Sequence, residues 1–266
     1  MRYIGICTII NGSLEPTDEQ DPIGNDNEVY EVLRVYHGKP LFINDHLKRW
    51  TNSMTAVGRQ TPNWLPKLPQ LIDWLVACNS IHDCDIRITA SQNGTVQCGF
   101  IETTYPTEQQ FRDGVKCQLL NAERQSPDLK IFHSAMRHDA HTQQEKTDSF
   151  ESLLVNKDGQ LTEGSRSNLY FIDELGVVHT APDGTVLGGI MRRKVLDLCQ
   201  KENIPVNLHC VEADKIADFK AAFLSSTPMQ ALPVNKIADT AFDTNDPTLR
   251  KIVDGIDNLI KSATSC

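Results

Sequence analysis

Residues 153–171, LLVNKDGQLTEGSRSNLYF, constrain the fold more than any other stretch of the chain. Two apolar runs, LLV (153–155) and NLYF (168–171), flank a Lys157-Asp158-Gly159 turn and a polar knot from Thr162 to Asn168. Asp-Gly between hydrophobic runs asks for a tight reversal, because Gly accepts the positive φ that closes a hairpin. The polar residues after it lie beside Gly164, where the backbone can come close to a neighbour. They read either as a plain loop between two sheet strands or as a loop built to hold a ligand.

At 266 residues the chain can fold as one large domain or two modest ones and bury a substantial core. Its apolar runs stay short of the roughly 18 residues of a membrane span. The N-terminal MRYIGICTIINGSLEP reads as a first strand rather than a leader. Eight cysteines are scattered without a CxxC pair or a zinc-finger spacing, so no metal site is expected. Cys7, Cys78 and Cys199 fall in apolar runs, where cysteine acts as a small hydrophobe, and this usage points to a reducing cytoplasm. A net charge of −9 argues against general nucleic-acid binding, which needs a basic face.

Along the chain, residues 3–11 read as a strand, and 13–28 as an acidic, turn-rich loop. Residues 29–43 read as a hairpin about a His-Gly turn. A helix capped by Asn44 or Asp45 follows and stops at Gly58, with Arg49 on its polar side. The pattern continues with a second helix over 66–80, strands at 85–90 and 95–105, and a polar break over 107–113. A strand from Val115 and a polar helix after residue 130 come next. Beyond the hairpin lie a helix after Gly188-Gly189, strands at 206–211 and 221–225, and a helix opened by Asn245-Asp246-Pro247. This order predicts an α+β or mixed α/β fold, with an N-terminal α/β domain (1–113) and a larger C-terminal domain (114–266).

Three features carry chemistry. Gly188-Gly189 opens a helix directly, which reads either as an ordinary loop or as a phosphate seat made by the free N–H groups of the helix start. Ser225-Ser226-Thr227 places hydroxyls at the end of an apolar strand. Arg49 supplies a cation. Taken with EGSRSNLYF (163–171), GGIMR, SSTPMQALPV and VYEVLRVYHGKPLFINDHLKRW, they resemble the class IV aminotransferases, the fold-type IV pyridoxal-phosphate enzymes, over nearly the whole chain.

The resemblance implies a smaller N-terminal domain and a pseudo-barrel-like cofactor domain. It also implies pyridoxal 5'-phosphate as cofactor and a homodimer acting on small molecules. Lys130, 163 − 130 = 33 residues before Glu163, matches the Schiff-base lysine. Glu163 matches the carboxylate facing the pyridine nitrogen, and Arg49 the phosphate arginine. The amides of Ile190 and Met191 and the hydroxyls of Thr227 and Ser226 match the rest of the phosphate cup, with Asn168 as support. Tyr30-Glu31-Val32 resembles D-amino-acid aminotransferases, where the tyrosine faces the substrate. The Arg-x-His carboxylate clamp of those enzymes is replaced by TASQNGTVQC, so it is missing or supplied elsewhere. Met191 in GIMR is a form seen in aminodeoxychorismate lyases. The expected activity is therefore amino-group transfer to a 2-oxo acid. The alternative is release of pyruvate from 4-amino-4-deoxychorismate to give 4-aminobenzoate.

Overall fold

A computed structural model describes residues 2–18 and 24–264. They divide into two compact units: the chain to Thr104 with Leu129–Ser134 and the segment from Ile260, and Tyr105–Asp128 with Ala135–Leu259. The residue pattern implies a single boundary after residue 113. The units interleave instead, because Leu129–Ser134 pairs with the edge of a strand in the first unit. Ile131 bridges Val29, the Tyr30 amide donates to the Lys130 carbonyl (3.0 Å), and the Phe132 amide donates to the Glu28 carbonyl (3.0 Å). Apolar-polar alternation cannot reveal so short a return.

The first unit is an antiparallel sheet covered by helices. Its elements are β1 (Tyr3–Ile10), β2 (Ser13–Pro16), β3 (Val29–Tyr36), β4 (Lys39–Pro40), α1 (Ile43–Ala56), α2 (Leu68–Asn79), β5 (Cys84–Ala90) and β6 (Val96–Ile101). The sheet order is β2-β1-β6-β5-β3-β4. Trp50 and Met54 of α1 and Leu71, Ile72 and Leu75 of α2 are buried with Leu33, Val35, Ile86, Ile88 and Phe100 of the strands. His37 and Gly38 carry the two positive φ values (51° and 76°) that a tight hairpin turn requires. The expected second arm of this hairpin is only Lys39–Pro40, since Pro40 has no N–H to extend the ladder and Ile43 already starts α1. Phe42 in a left-handed conformation caps α1 with no side-chain bond, so the predicted Asn44 or Asp45 cap does not form. Ser13–Pro16, expected as loop, pairs with β1; residues 19–23 of that stretch lie outside the described residues.

Cys7 and Cys78 form a disulfide, where the apolar runs around them suggest two small hydrophobes. The same junction is fastened by Asn79, whose carboxamide oxygen accepts from the Ile6 and Cys7 amides (2.6 and 2.9 Å) and whose nitrogen donates to the Cys7 carbonyl (3.0 Å).

The second unit contains α3 (Glu108–Asp113), β7 (Val115–Asn121), α4 (Ser134–Thr147, entering from the first unit) and β8 (Glu151–Val155). It continues with β9 (Gln160–Gly164), β10 (Asn168–Ile172), β11 (Val178–Thr180), α5 (Ile190–Lys201), β12 (Val206–Leu208) and β13 (Val211–Glu212). The chain ends through β14 (Ala221–Ser226), β15 (Gln230–Ile237), β16 (Thr240–Ala241) and α6 (Pro247–Thr264). Strands β10-β14-β15-β7-β8-β9 are neighbours in that order, and a further β9–β10 pairing through Glu163 and Asn168 closes them into a ring. Alternate residues of these strands fill one core, among them Leu153 and Val155, Leu169 and Phe171, Ala222 and Leu224, and Leu232 and Val234.

Most of the polar knot is thus not a loop. Thr162-Glu163-Gly164 belongs to β9, and Ser165–Ser167 alone turns the chain into β10. The Asp158-Gly159 turn does form, with Gly159 at φ 78° and the Asn156 side chain accepting from the Asp158 and Gln160 amides. Strand β15 has no clear signature in the sequence because Pro233 interrupts it. The proline is accommodated beyond the β7 ladder, which begins at Val234. The polar break over 107–113 is α3, opened by a reciprocal capping box between Thr107 and Gln110.

The amide of Leu249 donates to Asp246 Oδ1 (2.9 Å), the expected N-cap of α6, which buries Leu249, Ile252, Ile256 and Ile260 along one stripe. Asp246→Ala is expected to lower unfolding stability by about 1 kcal/mol, read as a lower urea midpoint at unchanged slope.

Candidate active site

The candidate residues separate between the units. Tyr30, Arg49 and Lys130 lie in the first, while Glu163, Asn168, Ile190, Met191, Ser226 and Thr227 lie in the second.

In the first unit the edge pairing of residues 129–132 with β3 fixes Lys130 beside Tyr30. The Lys130 amide donates to Ser53 Oγ of α1 (3.3 Å), and its Nζ sits 4.8 Å from the centroid of the buried Tyr30 ring. The Arg87 guanidinium, from the middle of β5, lies 4.4 Å from the same centroid and 5.1 Å from that of Phe132. Arg87 is 1% exposed, and Glu28 Oε2 stands 3.8 Å from its Nη2, longer than a hydrogen bond. An amine and a guanidinium therefore share one aromatic ring. Sequence reasoning misses Arg87. Its signal is a charge within Cys84–Ala90, a strand buried on both faces.

Arg49, expected on the polar side of its helix, is buried instead. Its Nε and Nη2 donate to the two oxygens of Glu31 at 2.9 and 2.7 Å, a bidentate pair that fixes the guanidinium plane. His46, one helical turn earlier, places Nδ1 3.1 Å from Glu31 Oε1. Burial alone raises the Glu31 carboxyl, but Arg49 and then His46 outweigh it and hold the group well below the usual carboxylate range. Burial pushes His46 below its ordinary value against the pull of Glu31. In the sequence Glu31 is only part of a family motif; in the structure it is the residue that orients Arg49.

In the second unit Glu163 closes the barrel by its backbone and turns a buried carboxylate toward Arg124, whose Nε donates to Oε1 at 2.7 Å. Arg124 Nη2 also donates to the Ser165 carbonyl (3.2 Å), and the Leu187 amide lies 3.4 Å from Glu163 Oε2. Asn168 donates to the Leu187 carbonyl (2.9 Å), so the strand partner of Glu163 also holds the turn before α5. Gly189 leaves room for the Asn168 carboxamide, whose Oδ1 a Cβ at this position would displace. As the N-cap of α5 it brings no side-chain cap, which leaves the first-turn amides of Ile190 and Met191 to another acceptor. Thr227 is buried at the end of β14, and Ser226 Oγ accepts from the Met229 amide (3.4 Å). Arg192 of the GIMR motif turns away, to the Ala181 carbonyl and Asp183. Neither Arg124 nor Glu151, buried beside the Ser165–Ser167 turn, carries a signal in the sequence. Their partners are set by strand order.

These donors suit a phosphorylated pyridine carbaldehyde. An uncapped helix start, hydroxyls and an arginine match a phosphate, a buried carboxylate matches a protonated ring nitrogen, and a lysine amine matches an aldehyde. Among the described residues no group of three or more His, Cys, Asp or Glu could hold a metal, and no helix is long and apolar enough to cross a membrane.

Comparison with known proteins agrees with this chemistry. D-alanine aminotransferase of Bacillus licheniformis is 25% identical over 253 residues, covering 89% of each chain. Aminodeoxychorismate lyase of Bacillus subtilis is 20% identical over 230 residues, covering 80% of this chain and 78% of that protein. The crystal structure of the Escherichia coli branched-chain amino acid aminotransferase superposes with a TM-score of 0.85 at 16% identity, over 98% of this chain and 96% of that one. The family described as amino-transferase class IV matches residues 28–237, and the chain belongs to this family of pyridoxal-phosphate-dependent enzymes.

Proposed function

We propose that the protein is an amino-acid aminotransferase that moves an amino group to a 2-oxo acid, with Lys130 as the catalytic base. The observation that carries this reading is the shared Tyr30 ring, with Lys130 Nζ at 4.8 Å and the Arg87 guanidinium at 4.4 Å. A proton-transferring amine beside a buried, permanently charged guanidinium suits a substrate whose reacting carbon bears a carboxylate. Arg87 thereby supplies the clamp whose Arg-x-His form is absent from TASQNGTVQC. Similarity to D-alanine aminotransferases at 25–28% identity supports transamination over the lyase reaction.

When bound, pyridoxal phosphate supplies an aldehyde that captures amines and a pyridinium ring that withdraws electrons. The chain's own residues do the rest. Lys130 Nζ would take the proton from the substrate Cα and deliver it at the cofactor C4′. Tyr30 packs against that amine and limits where it can swing. Arg49, set by Glu31, would hold the phosphate from the first unit, and the Ile190 and Met191 amides with the Ser226 and Thr227 hydroxyls would hold it from the second. Glu163 would pair with the ring nitrogen, and Asn168 keeps the turn before α5 in place. A homodimer belongs to the same reading.

Added pyridoxal phosphate is expected to give a protein-bound visible absorbance that Lys130→Ala abolishes; an unchanged band in the variant rules out Lys130. D- or L-amino acids are expected to convert the bound cofactor to its pyridoxamine form with release of a 2-oxo acid. Formation of 4-aminobenzoate and pyruvate from 4-amino-4-deoxychorismate without that conversion selects the lyase. Arg87→Gln is expected to weaken amino-acid binding in this half-reaction by roughly 10- to 100-fold, the worth of one charge-assisted bond, while the cofactor still binds. Sedimentation of the active enzyme is expected at twice the chain mass, and full activity in a monomer contradicts the assembly.

A further inference from the structure

We propose that Arg124 is a positioning residue that decides where the proton shared by Glu163 and the cofactor ring nitrogen resides, keeping it on the nitrogen. The inference rests on the reading of Glu163 as the ring-nitrogen partner and goes beyond it.

A carboxylate and a pyridine removed from water have two ways of sharing one proton. The neutral acid–pyridine pair avoids separated charges, and burial favours it, because desolvating two ions is costly. The ionic pair is the form that withdraws electrons. Glu163 is 2% exposed, so the neutral arrangement has burial on its side. Arg124 acts against it. Its Nε lies 2.7 Å from Oε1, and the ion pair is itself buried. A cation at that distance stabilises the carboxylate strongly and opposes a pyridinium on the other oxygen less, since Coulomb energy falls with separation. Glu163 becomes the weaker base of the two, and the N–H bond is kept while the O–H bond is not formed.

The surroundings direct Arg124 to this task. The neighbouring buried carboxylate, Glu151, is served by Ser165 Oγ (2.6 Å), Ser167 Oγ (3.0 Å) and the amides of Ser152 (2.9 Å) and Arg166 (3.2 Å). The Arg166 side chain donates to the Phe150 carbonyl, and Arg192 to Ala181 and Asp183, so these two cations are directed elsewhere. From the α5 side Glu163 meets the Leu187 amide. The Ser165 carbonyl, held in a turn organised by Glu151, anchors the far end of the Arg124 guanidinium.

The test uses the holoenzyme loaded with pyridoxal phosphate labelled with nitrogen-15 in the ring. In the wild type the ring-nitrogen resonance is expected in the pyridinium range at neutral and mildly alkaline pH; a pyridine-range signal overturns the proposal without any variant. Arg124→Gln is expected to move the resonance to the pyridine range with the cofactor still bound. Arg124→Lys, which keeps the cation, is expected to hold it in the pyridinium range. A pyridinium signal in Arg124→Gln, or a pyridine signal in Arg124→Lys, overturns the role of the charge. Glu163→Gln separates the two levels: if it leaves the wild-type resonance unmoved, the reading of Glu163 fails rather than that of Arg124.

Discussion

The backbone pairing of Glu163 with Asn168 is the constraint from which the second unit follows. Without it the path β12-β11-β10-β14-β15-β7-β8-β9-β13 is an open sheet; with it the six strands from β10 to β9 close into a ring, from which β11–β12 and β13 extend. The two residues are also its most chemically consequential polar pair. Closure turns the Glu163 carboxylate toward Arg124 and brings the Asn168 carboxamide to the Leu187 carbonyl. The start of α5 is therefore indexed to the same register that closes the barrel. A slip of one residue would send both side chains to the other face.

In the first unit buried charge is handled differently. Glu31, Arg49 and His46 form a desolvated cluster in which the carboxylate receives a bidentate guanidinium and a neighbouring imidazole. Such a pair adds little net stability over an apolar isostere, but removing one member leaves an uncompensated charge. Its evident value is directional. It prevents Arg49 from choosing among rotamers, which an exposed arginine on a helix face would do.

How much of this can be read from the residues depends on the range of the interaction. The Asp158-Gly159 turn, the Gly188-Gly189 helix start and the Asp246 cap are local, and each has the form its sequence demands. The family motifs pick out Lys130, Glu163 and Arg49 by similarity. What stays hidden is set by tertiary pairing. Arg49 looks solvated because nothing in a helix pattern announces that Glu31 of β3 will meet it. Arg87 and Arg124 acquire their meaning from a ring and a carboxylate distant in sequence. Strand β15 is masked by Pro233, whose penalty vanishes once the β7 ladder starts one residue later. Thr162–Gly164 looks like a loop since its polar residues and glycine break the expected alternation, although they belong to β9. The Cys7–Cys78 bond joins residues 71 apart in sequence, beyond the reach of any spacing rule.

The six residues Leu129–Ser134, which return to the first unit from within the sequence of the second, also bear on inheritance and engineering. Lys130 travels genetically with the barrel but packs with the sheet that precedes it. A recombination point after Thr104 would give a hybrid whose lysine comes from one parent and whose Tyr30 and Arg87 come from the other. Domain exchange between relatives of this enzyme therefore has to preserve the match across that short visit, and a fragment ending at Thr104 cannot carry Lys130.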